Sequence, residues 1–350
     1  MKSTSIGSLH RAHSLPCNST AAALSQWNTN ICFKLVAILL LCNQAIAASP
    51  PTSERDFKAY MVKTHQFEAA KIDEIFQAAE VKDSILEAIN RPYEAKPWHS
   101  YRKIFLTEPR ILAGIEFWQS HQSALEKISN QHGLPIEIIV AIIGVETSYG
   151  RITGNYRVLD ALFTLAFNYP KRSAFFSRQL EEFLLLCREE KLVPTELKGS
   201  YAGAMGIPQF MPGSFRQYAS DFDGDNLRDI WTNPGDAIAS VGNYFKQHGW
   251  VKNAPVISAV QKSQADFSRF KTSGLKLDTR LSVLRSHNII PQANWQQDAA
   301  AKLIELEEAK DFSYWIALKN FYVITRYNHS AHYAMAVYQL GQAIKARRKK

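Results

Sequence analysis

One stretch of the chain, from Pro135 to Gly150, constrains the fold more than any other because it is apolar on almost every side. Proline suits the first turn of a helix, where its missing N–H group costs nothing. Between Ile136 and Val145 the only charged residue is Glu137. A helix that is apolar on nearly all sides is a buried helix. The sequence therefore predicts a helix inside a dry core.

Glu146 stands where this predicted helix leaves the core, just before Gly150. Nine residues separate it from Glu137, which at 3.6 residues per turn places the two carboxyl groups about 180° apart around the helix. Burial disfavours the charged form of a carboxyl group and raises its pKa. A carboxylic acid that stays protonated near neutral pH can act as a general acid. Glu146 is therefore a candidate catalytic acid; the alternative is a side chain that simply reaches solvent at the helix end.

The first 47 residues predict a secretory signal that is removed from the mature protein. A basic residue precedes the apolar run 35–41, and the small residues at 45–47 form a cleavage site of the A-x-A kind. The apolar run is too short to span a bilayer. Cys42 is a candidate for lipid modification, but Leu41 stands where small residues are usual for that processing. We expect export with cleavage after residue 47 rather than lipidation.

Charge and cysteine content limit what the exported chain can be. The formal net charge of +9 falls to +6 once the three basic residues of the first 47 are left out. This excess suits a polyanionic surface such as cell-wall polymer, anionic lipid or nucleic acid, and selects none of them. Only Cys187 lies beyond the predicted cleavage site, so no internal disulfide is expected. Its apolar, helical surroundings predict a buried structural thiol rather than a nucleophile.

Alternating aspartates in one loop form the strongest local signal. Asp221, Asp223 and Asp225 are followed by Asp229, and such spacing points several oxygens inward, as Ca²⁺ requires. The spacing matches positions 1, 3, 5, 7 and 9 of an EF-hand loop, with the carbonyl of Leu227 available at position 7. Aspartates this close repel one another unless a cation neutralises them. The alternative is a solvated acidic turn.

This acidic loop departs from the EF-hand pattern at two positions. The usual glycine at position 6 is Asn226, which also tolerates a positive φ angle. The usual glutamate at position 12 is Thr232. Asp236, four residues later, is a candidate for the missing carboxylate and equally a candidate N-cap of the helix that follows. The sequence leaves both roles of Asp236 open.

Two further stretches carry side chains that suit a sugar. Around Ser200 and Gln209 the chain is rich in small residues, which suits either the lining of a groove or tight packing. Tyr327 and Tyr333 flank Asn328; tyrosine rings stack on sugars, and the amide can both donate to and accept from an N-acetyl group. The alternative is a pair of core tyrosines with a helix-capping residue between them.

The spacing of apolar residues predicts a mainly α fold with a small β-containing insertion. The stretch 198–235 is rich in Gly, Pro, Asp and Ser and predicts loops. Short strands are expected at 256–260 and 281–284, and a helix at 299–309. The predicted order is a signal segment at 1–47, an N-terminal helical domain at 48–130, a core with the acidic loop at 131–250, a small mixed α/β insertion domain at 251–320, and a C-terminal helix that completes the core at 321–350.

Several motifs occur together in an order that resembles the membrane-bound lytic murein transglycosylase B family. They are residues 144–150, 200–206, 209–212, the acidic loop with 230–231, 236–245 and 326–328. The resemblance covers roughly residues 55–345. It implies a lysozyme-like α+β catalytic core, a multi-helix N-terminal region and an EF-hand-like calcium site, with calcium in a structural role and no organic cofactor.

The resemblance also implies roles for individual residues. Glu146 is the expected single catalytic acid and base. Arg172 is expected to face the anionic substrate. The other expected substrate-binding residues are Ser200, Gln209, Tyr244, Tyr327, Asn328 and Tyr333. The expected calcium ligands are Asp221, Asp223, Asp225, the Leu227 carbonyl and Asp236.

The implied reaction is cleavage of the β-1,4 bond between N-acetylmuramic acid and N-acetylglucosamine in peptidoglycan, with formation of 1,6-anhydromuramic acid. Ordinary glycosidases use two carboxyl groups, but no second acid accompanies Glu146 in its motif, and the nearest downstream is Asp160. A single acid suits assistance by the substrate. The alternatives are a hydrolytic muramidase and a non-catalytic, calcium-stabilised peptidoglycan-binding protein.

Localisation and partners follow from the same resemblance. We expect a periplasmic monomer that binds peptidoglycan glycan strands and cell-wall synthesis proteins. Family members are often lipoproteins, which makes Cys42 the candidate for an outer-membrane anchor. The predicted export and the acidic loop argue against nucleic acid as a partner.

Overall fold

Helices form most of the chain that the computed structural model describes, namely residues 49–90, 96–261 and 264–349. Small antiparallel sheets accompany them, so the predicted fold class is confirmed. All of these residues belong to one compact unit, and the domain boundaries at 130, 250 and 320 stay predictions. The predicted signal at 1–47, with Cys42, lies outside the described residues.

The helices are numbered in chain order. They are α1 Glu54–His65, α2 Ala69–Gln77, α3 Asp83–Ile89, α4 Trp98–Phe105, α5 Glu108–Ser120, α6 Gln122–His132, α7 Ile136–Thr147, α8 Val158–Asn168, α9 Ser173–Glu189, α10 Pro212–Tyr218, α11 Pro234–Gln247, α12 Leu281–Ser286, α13 Lys319–Ile324 and α14 Ala331–Arg348. A 3₁₀ turn, Pro170–Arg172, separates α8 from α9, at the break that Pro170 imposes.

The strands form two antiparallel sheets in the described part of the chain. Strands β1 Tyr156–Arg157 and β2 Lys198–Gly199 pair with each other. The second sheet has the order β3-β6-β5-β4, from strands β3 Ile257–Ala259, β4 Thr279–Arg280, β5 Ala300–Glu307 and β6 Phe312–Ala317. This sheet and α12 share a small hydrophobic core of their own.

Helix α7 is the buried helix that the sequence predicts, and nearly all of its residues are buried. Helix α14 packs closely along it: a Cβ atom on Gly341 would lie 2.7 Å from the carbonyl oxygen of Glu137. Glu137, at the start of α7, is 6% exposed and forms an ion pair with Lys345 of α14 at 2.5 Å. One of the two carboxyl groups on α7 is therefore neutralised by a partner, while Glu146 stands at the other end.

Among the described helices, none is by itself long and apolar enough to cross a membrane. Only α6 and α7 reach that length and composition, as a pair bent by 116°.

Two predictions within 251–320 are wrong. Most of the segment 299–309 forms strand β5, Ala300–Glu307, rather than a helix, because β5 lies between β4 and β6 and is buried along most of its length. A strand buried on both faces has no alternating pattern and resembles a helix in sequence. Residues 281–284 begin helix α12 rather than a strand. Leu281 and Leu284, three residues apart, are both fully buried, and Asp298 accepts a hydrogen bond from the Ser282 N–H group at 2.9 Å.

Candidate active site

Glu146 lies in the last turn of α7, and its side chain meets Tyr333 of α14. The Tyr333 hydroxyl donates a hydrogen bond to Oε1 of Glu146 at 2.5 Å. Burial raises the pKa of Glu146 to about 7, and the hydrogen bond from Tyr333 opposes part of this rise. At neutral pH the carboxyl group is therefore divided between its protonated and ionised forms. Such a group can both release and take up a proton.

No second carboxyl group of the described residues contributes to the pKa of Glu146; its causes are burial and Tyr333. Asp160, the nearest acid downstream in the sequence, is 3% exposed and pairs with Arg157 at 2.6 Å. It also accepts a hydrogen bond from the Glu80 N–H group at 3.0 Å. Asp160 therefore holds the N-terminal helices against α8 and has no part beside Glu146.

Three aromatic rings form a layer next to Glu146. The ring of Tyr327 lies parallel to that of Tyr333, with centroids 6.4 Å apart, and 4.7 Å from that of Tyr244. The Tyr327 hydroxyl donates to the Pro208 carbonyl at 2.6 Å, and the Tyr244 hydroxyl donates to the Arg326 carbonyl at 2.5 Å. Burial raises the pKa of all three tyrosines. The layer is neutral, and hydrogen bonds to backbone carbonyls fix the orientation of the Tyr244 and Tyr327 hydroxyl groups.

The predicted residues Ser200 and Gln209 shape the loop 200–210. The Ser200 hydroxyl accepts hydrogen bonds from the N–H groups of Ala202 at 3.3 Å and Ala204 at 3.0 Å. The Gln209 amide nitrogen donates to the carbonyls of Thr153 at 3.0 Å and Gly206 at 2.8 Å. Both side chains are half-buried, and their contact with a sugar stays a prediction.

Thr147 connects this loop to the end of α7, a role that the sequence analysis missed. Its side chain is buried, and its hydroxyl lies 2.9 Å from the Ile207 carbonyl, to which it donates. The same oxygen accepts a hydrogen bond from the Gly150 N–H group at 2.9 Å. A buried hydroxyl must find such partners, but the sequence does not say that one of them lies 60 residues away.

Arg172 and Asn328 are the remaining predicted substrate-binding residues. Arg172 is exposed, and its guanidinium group lies 4.3 Å from the ring centroid of Phe175. No described contact joins it to Glu146 or Tyr333, and its contact with the substrate stays a prediction. Asn328 is half-buried in the turn before α14. Ser330 is the N-cap of α14, because its side chain accepts from the Tyr333 N–H group at 3.2 Å.

The acidic loop brings three carboxyl groups together. Oxygens of Asp221, Asp223 and Asp236 all lie within 4.8 Å of one another. Asp236 is fully buried, and burial is the main reason that its pKa is raised. No basic side chain of the described residues forms an ion pair with any of the three. Of the three only Asp236 is buried; a bound cation would offset the cost of burying its charge, and an all-oxygen donor set suits Ca²⁺.

Other predicted features of the acidic loop have different outcomes. Asn226 has φ of 69°, as its position required. Asp221 accepts hydrogen bonds from the N–H groups of Gly224 at 2.7 Å and Asn226 at 2.9 Å. Asp225 is exposed and accepts from the Leu227 N–H group at 2.8 Å. Neither Asp225 nor Leu227 belongs to the close carboxylate group, so their roles as ligands stay predictions.

Asp236 is not the N-cap of α11. Asn233 is the N-cap, since its side chain accepts from the N–H groups of Gly235 at 2.9 Å and Asp236 at 3.4 Å. Pro234 then occupies the first helical position, which proline favours. Asp236 lies in the first turn and accepts from the N–H groups of Phe222 at 2.8 Å and Asp229 at 2.7 Å, both in the acidic loop.

Comparisons with known proteins agree on one family. A family model described as the transglycosylase SLT domain matches residues 52–342. The chain is 44% identical over 307 residues to the membrane-bound lytic murein transglycosylase B of Escherichia coli (strain K12), covering 85% of this chain and 83% of that protein.

Solved structures are similar as well. The crystal structure of Escherichia coli lytic transglycosylase Slt35 in complex with calcium has a TM-score of 0.78 and 44% identity, covering 87% of this chain and 95% of the other. The structure of Pseudomonas aeruginosa SltB3 in complex with NAG-anhNAM-pentapeptide has a TM-score of 0.72 and 30% identity, covering 83% and 78%.

Proposed function

Because the chain belongs to the membrane-bound lytic murein transglycosylase B family and is a lytic transglycosylase of peptidoglycan, we propose that Glu146 is its single catalytic acid and base. The observation that carries this proposal is the environment of the carboxyl group. It is half-buried, its pKa is raised to about 7, and it receives one hydrogen bond, from Tyr333. The group can therefore begin a reaction as an acid and complete it as a base.

In the first step Glu146 donates its proton to the oxygen that links N-acetylmuramic acid to N-acetylglucosamine. The bond from that oxygen to C1 of the muramyl sugar breaks, and the N-acetylglucosamine end leaves with a neutral hydroxyl group. The acetamido group of the substrate stabilises the positive charge at C1. Glu146 is now ionised, and the hydrogen bond from Tyr333 to Oε1 stabilises the carboxylate.

In the second step the ionised Glu146 takes the proton from the C6 hydroxyl group of the same muramyl sugar. The C6 oxygen attacks C1 and closes the 1,6-anhydro ring, and the carboxyl group is protonated again. No water is consumed. General acid–base help is worth about 10²–10⁴ in rate, and most of the rest comes from holding the C6 oxygen close to C1.

The acidic loop is proposed to hold Ca²⁺ in a structural role. Asp221, Asp223 and Asp236 supply carboxylate oxygens within 4.8 Å of one another, and Asp225 and the Leu227 carbonyl complete the set. Slt35, which is 44% identical, was crystallised with calcium. A bound cation neutralises the buried Asp236 and fixes the acidic loop, which takes no part in proton transfer.

The remaining substrate contacts are assigned to side chains around Glu146 and on the surface near α9. Arg172 is proposed to face the anionic parts of peptidoglycan. The proposed sugar contacts are Ser200, Gln209, Tyr244, Tyr327, Asn328 and Tyr333. SltB3 binds NAG-anhNAM-pentapeptide, a ligand with an anhydro sugar and a stem peptide, which supports a glycan strand as the substrate here. We also propose a periplasmic location; protein partners, monomeric state and lipid anchor stay predictions.

Mass analysis of products from purified peptidoglycan tests the proposed chemistry. The expected products end in anhydromuramic acid, which is lighter by one water than a hydrolysed end. Hydrolysed ends would instead indicate a muramidase, and binding without release would indicate a non-catalytic protein. The Glu146→Gln protein serves as the control, because glutamine keeps the shape of the side chain and lacks the acidic proton of the carboxyl group.

A further inference from the structure

The chain takes an unusual path immediately after Glu146. Ser148 has φ of 50° and Tyr149 has φ of 65°, so two consecutive residues other than glycine adopt the left-handed conformation. Such residues are uncommon, and this conformation is kept only where the surrounding structure imposes it. The N–H group of Ser148 donates to the Gly144 carbonyl at 3.2 Å, and that of Tyr149 donates to the Ile143 carbonyl at 3.3 Å. This left-handed turn therefore closes the last turn of the helix that carries Glu146.

The side chain of Tyr149 occupies a site shaped by two glycines. A Cβ atom added to Gly144 would lie 2.6 Å from ring atoms of Tyr149, and one added to Gly114 would lie 2.5 Å from its hydroxyl oxygen. The hydroxyl donates to the Arg110 carbonyl of α5 at 2.8 Å. Burial raises the pKa of Tyr149, so the hydroxyl stays protonated and a donor at neutral pH.

Arg110 also contacts the end of α7 through its side chain. Its guanidinium group donates to the Gly144 carbonyl, two residues before Glu146. The same residue of α5 thus accepts from Tyr149, after the acid, and donates to Gly144, before it. Helix α5 consequently holds the segment 144–149 from both sides of Glu146.

We propose that Tyr149 is a positioning residue for the transglycosylase reaction, which holds the left-handed turn and so directs the Glu146 carboxyl group toward Tyr333. The proposal rests on the role of Glu146 given above. Without the Tyr149 hydroxyl, the turn relaxes, the last turn of α7 loosens and the carboxyl group reaches water. Its pKa then falls from about 7 toward the ordinary value, because burial is the cause of the rise.

The test is the Tyr149→Phe protein, which keeps the ring and loses the hydroxyl group. A neutral hydrogen bond is worth about 1 kcal/mol, so we expect kcat to fall about fivefold to tenfold while KM changes less than twofold. The upper pH limit of kcat, which reports the protonated acid, should move to lower pH. Unchanged kcat with an unchanged pH profile would overturn the proposal, whatever happens to Tm.

Tyr60→Phe is the matched control, because the Tyr60 hydroxyl also makes one interhelical hydrogen bond, to Glu181 of α9 at 2.7 Å. It should lower Tm without changing the pH profile. Ser148→Gly provides a second variant if Tyr149→Phe does not fold. Glycine favours this φ angle, so Tm should not fall, whereas the freer turn should lower kcat and shift the profile in the same direction. An unchanged kcat and profile would count against the proposal.

The Glu146→Gln and Tyr149→Phe proteins together distinguish the catalytic role of Glu146 from the positioning role of Tyr149. An active Glu146→Gln protein would contradict the catalytic role itself. An inactive Glu146→Gln protein with a normal Tyr149→Phe protein would contradict only the positioning role of Tyr149.

Discussion

Glu146 and Asp236 are two carboxyl groups suited to different roles, and the ends of the helices on which they lie explain the difference. Glu146 lies at the C-terminal end of α7, where the helix dipole disfavours negative charge, and receives one hydrogen bond. Asp236 lies in the first turn of α11, where the dipole favours negative charge, and accepts two backbone hydrogen bonds. Burial raises the pKa of both. One group is suited to hold a proton, and the other to hold a cation.

The two regions are joined through the loop 200–210. The Ile207 N–H group donates to the carbonyl of Ile230, next to the acidic loop, at 2.8 Å. The Ile207 carbonyl accepts the hydrogen bond from Thr147, next to Glu146. The acidic loop therefore supports the loop beside the candidate acid without supplying a group to it. Changing Asp236 should therefore affect stability more than chemistry, whereas changing Glu146 should affect the chemistry most.

The largest expected effect is the loss of turnover in the Glu146→Gln protein. Removing general acid–base catalysis should lower kcat by about 10²–10⁴, equivalent to about 3–5 kcal/mol of transition-state stabilisation. The measurement is the rate of release of anhydro products from purified peptidoglycan. Circular dichroism should show an intact fold, because glutamine fills the same space. A kcat within tenfold of the original would contradict the assignment.

Calcium removal should have the next largest effect, on stability. A ligand at a hundred times its Kd stabilises the folded state by about 2.7 kcal/mol, so a chelator should lower Tm by about 5 °C for a protein of this size. Asp236→Asn should remove this response to chelator, because Asp236 is the buried member of the group. An unchanged melt on chelation would argue against the site.

Asp225→Asn is the matched control for the calcium site, since Asp225 is exposed and lies outside the close carboxylate group. It should keep most of the response to chelator.

The local sequence predicted the apolar surroundings of Glu146 and a candidate cation site in the acidic loop, and left the role of Asp236 open. The apolar run before Glu146 predicts burial without any knowledge of the fold, and the alternating aspartates predict a cation site from their own repulsion. What the sequence could not predict are contacts between distant segments. Tyr149 depends on Gly114 of α5, and Thr147 depends on Ile207; neither partner is adjacent in the chain.

The wrong assignments have two different origins. Residues 299–309 were expected to form a helix because a strand between two others loses its alternation, and Asp236 was expected to be a candidate cap although the pair Asn233 and Pro234 is the stronger cap signal. Neighbouring strands determine the first outcome, whereas the second was already indicated by residues adjacent in the chain. The polarity around a side chain was therefore easier to predict than the distant residues that contact it.

The original and Glu146→Gln proteins should also differ in their free energy of unfolding. The unfolded pKa of glutamate is about 4.3, and the folded pKa is about 7, so the folded state loses stability as pH rises from 4.3 through 7. Glu146→Gln removes this loss. It should therefore be more stable than the original protein by about 2 kcal/mol at pH 8, less than the full shift implies because a half-buried carboxylate keeps part of its hydration.

Urea unfolding of both proteins at pH 5 and pH 8, with calcium held constant, measures this difference. If the difference in unfolding free energy between the two proteins is the same at pH 5 and pH 8, burial of Glu146 does not disfavour its charge.

The smallest expected effect comes from Tyr333→Phe. The Tyr333 hydroxyl stabilises the ionised form of Glu146, so its removal should raise the pKa of Glu146 further. The upper pH limit of kcat should then move to higher pH, and kcat should fall about fivefold, for the loss of about 1 kcal/mol. Tyr338→Phe, on the same helix, is the control and should leave the profile unchanged.

Tyr149→Phe is expected to move the same limit to lower pH, so the two variants differ in sign. If both variants move the upper pH limit of kcat in the same direction, the left-handed turn and the Tyr333 hydroxyl do not have separate effects on the pKa of Glu146. Opposite shifts would assign the burial of Glu146 to one tyrosine and the stabilisation of its charge to the other.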